Sequence, residues 1–209
     1  MTTPPVPAHV WESVLPVCDG RGSMIGTGVV VAPRQVLTAL HVVHPEPAPL
    51  IADRLAVTTI ISLRPWQFGA TRRLAQSSYQ RTVILSGADD GTVDLALLAV
   101  PELRAPSLPT RRTPVRTGEL VTVPGYPGGW RTASHGPITS ADEADFVAHV
   151  SLGAGISGAP AIDRHGRLAG LITMDHATAG AIAIGPAILS AFVDRAPMHL
   201  RARDLNPRR

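Results

Sequence analysis

Short stretches rich in Val and Ile recur along this chain, and turn-forming residues bound them. Gly, Pro, Asp or Ser stands at their ends, and 19 glycines and 20 prolines supply these breaks. β-Branched residues between such breaks are typical of strands, whereas a 3.6-residue period is scarce before the C-terminal end. The clearer strand candidates are 10–17, 28–32, 36–39, 56–63, 79–85, 93–100, 120–124, 145–150, 159–163, 167–173 and 181–184. The pattern predicts an all-β fold.

One helix is predicted after the last strand, at 186–195. Pro186 suits the first turn of a helix, and apolar residues follow it at helical spacing. The 209 residues, 44% of them hydrophobic, can form two small barrels with a shared interface.

A segment rich in proline and arginine, 106–118, is a poor strand, because proline lacks the amide hydrogen that a sheet needs. We expect it to connect a first six-stranded antiparallel barrel, about 10–105, to a second, 119–185. Residues 197–209 then form an Arg-rich tail behind a domain that spans 1–196.

Composition excludes several classes of function. The net charge is +3, the arginines are scattered and only 4% of residues are aromatic, so no nucleic-acid interface is expected. No apolar run reaches the roughly 18 to 20 residues that cross a bilayer, and the first residues lack the pattern of a secretory signal. Cys18 is the only cysteine, which excludes an intramolecular disulfide and favours the cytoplasm. No Cys/His spacing predicts a metal site, and no glycine fingerprint predicts a dinucleotide cofactor.

Three segments supply the groups that acyl transfer needs. They are Leu-Thr-Ala-Leu-His-Val-Val at 37–43, Thr-Val-Asp-Leu-Ala-Leu-Leu at 92–98 and Gly-Ala-Gly-Ile-Ser-Gly-Ala-Pro at 153–160. A serine hydroxyl becomes a nucleophile when an imidazole takes its proton, and a carboxylate fixes the imidazole tautomer. The candidates are Ser157, His41 and Asp94. Taken alone, each has a plain alternative as a loop serine, a core histidine or a strand-end aspartate.

The order His, Asp, Ser separates this chain from subtilisins and α/β-hydrolases, and Ala159 breaks the hydrolase nucleophile elbow. With Thr-Ala-Leu-His, Asp-Leu-Ala-Leu-Leu and Gly-Ile-Ser-Gly-Ala-Pro in that order, the chain resembles the trypsin-like (chymotrypsin-fold) serine proteases. It is most similar to their disulfide-free bacterial branch, which includes HtrA-type enzymes, without a PDZ segment. The resemblance covers about 10–194, includes Gly-Thr-Gly at 26–28, and implies two β-barrels with the site in the cleft between them.

The resemblance also implies a role for each candidate residue. His41 would act as general base and then general acid, Asp94 would orient it, and the amides of Gly155 and Ser157 would form the oxyanion hole. Secreted digestive members carry aspartate immediately before the serine as a zymogen switch, and this chain has Ile156 there. The oxyanion loop is therefore expected to fold constitutively or under the control of a partner.

By the same resemblance, Ser151 and Leu152 line the specificity pocket, Asp175 replaces a glycine on its opposite wall, and Thr173 supplies a hydroxyl to the triad aspartate. This set favours a small or medium apolar P1 residue, and attraction of a basic group by Asp175 stays open as the alternative.

Two functions remain at this point. The first is a cytoplasmic serine endopeptidase that acts on polypeptides without metal or cofactor. Its regulation by a partner protein or a fused domain is left open. The second is a catalytically weak module of protease fold that binds a peptide or a partner, because fold alone does not fix function.

Overall fold

Strands dominate the computed structural model, which describes residues 5–18, 24–43, 62–63, 83–88, 94–100, 103–150, 153–176 and 180–195. In chain order the elements are α1 Ala8–Ser13, β1 Val14–Cys18, β2 Met24–Ala32, β3 Gln35–Thr38, α2 Leu40–Val43, β4 Ser62–Leu63, β5 Val83–Ala88, β6 Leu95–Ala99, β7 Leu120–Gly125, β8 Thr132–Ala141, β9 Asp145–Ala148, β10 Pro160–Ile162, β11 Leu168–His176, β12 Gly180–Ile184 and α3 Pro186–Arg195. A 3-10 turn at Pro127–Gly129 follows β7. The prediction of an all-β fold with one C-terminal helix is confirmed.

The strands form two antiparallel systems. The first is a six-stranded sheet in the order β4-β1-β2-β3-β6-β5, and the second is a closed six-stranded barrel in the order β10-β11-β12-β9-β8-β7. The predicted second barrel is therefore closed, whereas the first half is an open sheet over the residues described. Most of the predicted strand at 56–63 and the start of that at 79–85 lie outside those residues.

The apolar run of β6 explains how the first half packs. Leu95 and Leu97 face one hydrophobic cluster, while Ala96 and Leu98 face another. Successive side chains of a strand point to opposite faces, so a strand with both faces covered is continuously apolar. The core of the second barrel, in turn, contains Phe146 and Ile172.

A hydrophobic cluster joins the two halves. Val29, Leu37 and Leu97 of the sheet pack in it with Leu171 of the barrel and Leu189 of α3. All five side chains are fully buried. Because neither half can cover these residues alone, the interface fixes how β2 and β3 meet the barrel.

Arg111 anchors the connecting segment to the barrel. Its amide donates to the carbonyl of Leu168, and its guanidinium forms a bidentate pair with Glu119 at 2.5 and 3.1 Å. Asp163, which also accepts from Arg167, lies 3.9 Å from the same guanidinium. Hydrogen bonding to Glu119 raises the pKa of Arg111 and holds the pKa of Glu119 below its usual value. The second half thus begins with an ion pair in which Arg111 is buried and Glu119 is partly exposed.

One local prediction from the sequence was wrong, and one strand was not predicted. The strand expected at 10–17 begins only at Val14, because residues 8–13 form α1, whose Val10 packs into the cluster between the halves. The ten residues of β8 were not predicted at all, because Ser, His, Gly and Pro are prominent there and Val is absent. Pairing with β7 and β9 in a closed barrel stabilises that strand despite its low intrinsic propensity.

Candidate active site

His41 and Asp94 come together at the ends of neighbouring strands. β3 and β6 pair with Thr38 opposite Ala96, so the residues that follow β3 lie beside the one that precedes β6. The chain turns after Thr38 into the single helical turn α2, which carries His41. Asp94 Oδ2 lies 2.5 Å from His41 Nδ1, and Asp94 Oδ1 accepts from the His41 amide at 2.9 Å.

This double contact fixes both side chains and shifts their titration. The hydrogen bond with Asp94 raises the pKa of His41, against a smaller opposing effect of burial. Burial favours a higher pKa for Asp94, but the hydrogen bonds from the ring and amide of His41 outweigh it and lower the pKa. The side chains are 48% and 34% exposed, so the pair lies at a surface that substrate can reach. Asp94 is thus ionised at neutral pH and accepts from Nδ1, which leaves Nε2 as the proton acceptor of the neutral ring.

Glycines shape the loop that presents Ser157. Gly153, Gly155 and Gly158 have φ angles of +80°, +96° and +84°, a region that residues with a Cβ rarely adopt. A Cβ on Gly158 would also overlap the carbonyl oxygen of Thr27 and the hydroxyl of Thr38. The loop therefore lies directly against β2 and β3, the strands that lead to His41.

Each peptide plane from Ala154 to Gly158 is held by a hydrogen bond. The carbonyl of Ala154 accepts from Gly128 at 2.9 Å, that of Ile156 from Ala159 at 2.8 Å, and that of Ser157 from the Thr27 amide at 2.9 Å. The carbonyl of Gly155 accepts from the Thr27 hydroxyl at 3.0 Å. In a trans peptide the N–H points opposite to the C=O, so these bonds also set the directions of the Gly155 and Ser157 amides.

Those two amides have no hydrogen-bond acceptor among the described residues. Unpaired donors beside a serine hydroxyl are the arrangement that binds a developing oxyanion. Ile156 holds the loop from the other side, since it is buried in the barrel core.

The Ser157 hydroxyl donates to the carbonyl of Thr173 at 3.5 Å. Within the described part of the chain it makes no hydrogen bond to His41. The structure thus brings His41 and Asp94 into direct contact. The Ser157 backbone is hydrogen-bonded to β2, and the serine side chain points toward β11. A rotation of Ser157 about χ1 would break the bond between its hydroxyl and the Thr173 carbonyl. At catalytic sites, hydrogen bonds between the reacting side chains often tighten only when substrate is bound.

The predicted pocket residues are only partly covered by the structure. Ser151 and Leu152 lie outside the described residues. Asp175 belongs to β11, where only its backbone is described. Thr173 contacts the site through its carbonyl, and no bond from its hydroxyl to Asp94 is present among the residues described.

Thr27 is a site residue to which the sequence assigned no role, although it lies in the Gly-Thr-Gly motif at 26–28. It is fully buried and contacts the loop through both its amide and its hydroxyl. The signal was a hydroxyl residue between two glycines in an otherwise apolar strand. A buried threonine hydroxyl needs a partner, but the sequence does not say which one.

Two further properties of the described residues bear on function. They contain no group of three His, Cys, Asp or Glu side chains placed to hold a metal ion. Their helices are all too short to cross a bilayer.

Comparison with known proteins gives the following relatives. A family model described as a trypsin-like peptidase domain matches residues 26–171. The serine proteases MT3772 and Rv3671c, from two strains of Mycobacterium tuberculosis, are each 30% identical to this chain over 177 residues. The alignments cover 77% of this chain and 38% of each relative, so the chain spans about two fifths of their length.

Solved structures share the fold. The active form of the Rv3671c protease from M. tuberculosis has a TM-score of 0.67 at 23% identity, covering 94% of this chain and 92% of that one. Its inactive form has a TM-score of 0.66 at 22% identity, covering 90% and 91%. The serine endoprotease from Yersinia pestis has a TM-score of 0.62 at 22% identity, covering 92% and 66%.

Proposed function

This chain belongs to the trypsin-like peptidase family, and on that premise we propose that it is a serine endopeptidase with the triad His41, Asp94 and Ser157. The observation that carries the proposal is the 2.5 Å contact between His41 Nδ1 and Asp94 Oδ2, made beside a serine loop with two unpaired amides. The name serine protease that its curated relatives carry supports the same reaction.

In the proposed reaction, Ser157 Oγ forms a bond to the carbonyl carbon of the scissile peptide while its proton passes to His41 Nε2. The amides of Gly155 and Ser157 donate to the oxyanion. The tetrahedral intermediate then collapses as the C–N bond breaks, and the imidazolium gives its proton to the leaving amine. Asp94 stabilises the imidazolium and does not itself take the proton. Water repeats the sequence on the acyl-enzyme and releases the acid product.

Other parts of the proposal rest on the sequence. We assign the peptidase domain to residues 1–196 and place it in the cytoplasm, because Cys18 is the only cysteine. Its substrate is a polypeptide with a small or medium apolar P1 residue, from Ser151 and Leu152, and a basic P1 residue held by Asp175 is the alternative. We propose no role for nucleic acid or membrane, and control by a partner protein or fused domain is compatible with a loop that lacks the zymogen aspartate.

The test is covalent labelling of Ser157 by a fluorophosphonate probe. We expect the wild-type chain to label rapidly and Ser157→Ala not to label, because only a serine activated by an imidazole near an oxyanion hole reacts fast. Ser190→Ala is the matched control: that hydroxyl is buried in α3, without a partner among the described residues, and its loss should leave labelling intact. Equal labelling of wild type and Ser157→Ala would reject the assignment. A chain that does not label would favour the alternative, a binding module of protease fold.

A further inference from the structure

Thr27 touches the serine loop at two consecutive points. Its amide donates to the carbonyl of Ser157, and its hydroxyl donates to the carbonyl of Gly155. The same hydroxyl accepts from the Tyr126 amide at 3.3 Å, so its own donor is directed at the loop. Its carbonyl accepts from the hydroxyl of Thr38, three residues before His41. One residue of β2 therefore contacts the serine loop and, through Thr38, the strand that leads to the histidine.

The hydroxyl contact lies between the two oxyanion donors. The peptide plane of Gly155 and Ile156, which carries the Gly155 carbonyl, separates the plane with the Gly155 amide from the plane with the Ser157 amide. A rotation of this middle plane changes the backbone angles on both sides of it, so it changes the relative direction of both donors. Of the bonds that hold the planes from Ala154 to Gly158, this is the one made by a side chain, and hence the one that a substitution can remove.

The position is also sheltered from water. Thr27 is fully buried, and the Tyr126 amide that donates to its hydroxyl also belongs to a buried residue. The bond from this hydroxyl to the Gly155 carbonyl is partly buried, so its loss leaves the carbonyl without a donor on the Thr27 side and favours rearrangement of the loop. The positive φ of Gly155 makes such a rearrangement accessible, because glycine also adopts negative φ at no steric cost.

We propose that Thr27 is a positioning residue for the oxyanion hole: its hydroxyl holds the Gly155–Ile156 peptide so that the Gly155 and Ser157 amides converge on one oxygen. This rests on the proposed function. The bonds from Thr27 attach the serine loop, which lacks the zymogen aspartate, to β2 in the first half of the molecule. Thr27 touches no reacting atom and acts through the loop.

The experiment compares Thr27→Val, which keeps the shape and removes the hydroxyl, with Thr27→Ser, which keeps the hydroxyl. The rate constant for fluorophosphonate labelling should fall roughly ten-fold or more in Thr27→Val, the size expected when a partly buried acceptor loses its donor, and stay near wild type in Thr27→Ser. Thr122→Val, which removes the hydroxyl bonded to His135 on the barrel, is the control and should label normally. Thr27→Ala replaces Thr27→Val if the valine variant does not fold.

A pH profile separates positioning from general destabilisation. The acid limb of the labelling rate should keep its midpoint in Thr27→Val, because the His41–Asp94 pair is untouched, while the plateau falls. Labelling of folded Thr27→Val at the wild-type rate, or equal slowing in Thr27→Ser, would overturn the proposal.

If the wild-type chain itself fails to label, the proposed function fails and a second measurement decides on Thr27. The amide resonances of Gly155 and Ile156 in ¹⁵N NMR spectra should move in Thr27→Val and stay in place in Thr27→Ser. Unchanged resonances in both variants would reject the positioning role.

Discussion

At the scale of single residues, folding and catalysis place opposite demands on His41. The folded state raises the pKa of its ring through Asp94, so the pair stabilises the fold most when the imidazole is charged, below its unfolded pKa of 6.5. That contribution is lost as pH rises through the higher folded pKa. A general base must be neutral, so activity appears over the same range in which the contribution disappears. The lowered pKa of Asp94 keeps the carboxylate ionised throughout this range.

Replacement of Asp94 by Asn tests this coupling. The acid limb of kcat/KM should move to lower pH, toward the ordinary value of 6.5, because the group that raises the pKa of His41 is gone. The plateau should fall by about 10³- to 10⁴-fold, since an amide no longer fixes the tautomer with Nε2 free. The measurement is a pH–rate profile on a cleavable peptide.

Asp142→Asn is the control for that profile. Asp142 is an exposed carboxylate that accepts from the amides of Ala144 and Asp145, away from the triad. It should leave both limb and plateau unchanged. A limb that stays in place in Asp94→Asn, or a plateau near that of wild type, would contradict the assigned role of Asp94.

The three triad candidates could be predicted from the sequence, whereas Thr27 could not. His41, Asp94 and Ser157 lie in segments whose local context is unusual: apolar up to one polar residue, or rich in glycine. The two glycines beside Thr27 mark it in the sequence, but its importance comes from a residue 128 positions away, which the local pattern does not contain. The direction of the Ser157 hydroxyl, toward Thr173, is likewise a rotamer choice that no motif records.

At the scale of elements, the serine loop depends on how closely it approaches β2. Gly158 fits because it has no Cβ, and its amide donates to the carbonyl of Ile172 at 2.7 Å while its Cα faces the Thr27 carbonyl. The loop is thus joined to the barrel on one side and to the sheet on the other. A side chain at 158 would separate two elements that must touch for His41 and Ser157 to meet.

Gly158→Ala and Gly118→Ala form a matched pair that measures this contact. Both glycines have φ near +85°, at +84° and +88°, so each variant bears the left-handed strain of roughly 1–2 kcal/mol. Gly118 has no atom within 4 Å of its Cβ position, whereas Gly158 faces the backbone of Thr27. Overlap should therefore lower the free energy of unfolding of Gly158→Ala by a further ~1–3 kcal/mol.

The two glycine variants are compared by urea unfolding and by fluorophosphonate labelling. Gly158→Ala should unfold at a lower urea concentration than Gly118→Ala and lose labelling, while Gly118→Ala labels as wild type does. Equal urea midpoints for the two variants would show that the loop does not need its close approach to β2.

Elements with a strong local pattern were predictable, and those that depend on tertiary contacts were not. The run at 93–100 predicted β6 because it is continuously apolar after Asp94. In the structure, four successive leucine and alanine side chains of this run are buried, on both faces of the strand. The run at 10–17 misled because Val10 and Trp11 of α1 are apolar, as β1 is, and only the structure shows that Val10 and Val14 pack in the cluster that joins the two halves. The polar strand β8 exists because a closed barrel supplies partners on both of its edges.

At the scale of the whole molecule, the site depends on a core that belongs to neither half. Tyr126 of the barrel side donates from its phenol to the carbonyl of Val14 and packs edge-on against Trp11, with ring centroids 6.2 Å apart. The N-terminal segment thereby contacts Tyr126, the residue that precedes the 3-10 turn. The amide of Gly128 in that turn donates to the carbonyl of Ala154 in the serine loop. Displacement of one half relative to the other would therefore also move the oxyanion loop.

Leu171→Ala tests whether the two halves unfold together. Leu171 lies on β11 and is fully buried in the cluster shared with the sheet, so its truncation should lower the free energy of unfolding by about 2–5 kcal/mol. Hydrogen exchange shows which strands lose stability in this variant. If the shared cluster couples the halves, amides of β6 in the sheet should lose as much protection as amides of β12 in the barrel. Leu120→Ala is the control, since the same truncation at a side chain 67% exposed should change neither. Loss of protection confined to β12, with β6 as in the wild-type chain, would mean that the barrel opens alone and that the sheet holds His41 and Asp94 together without it.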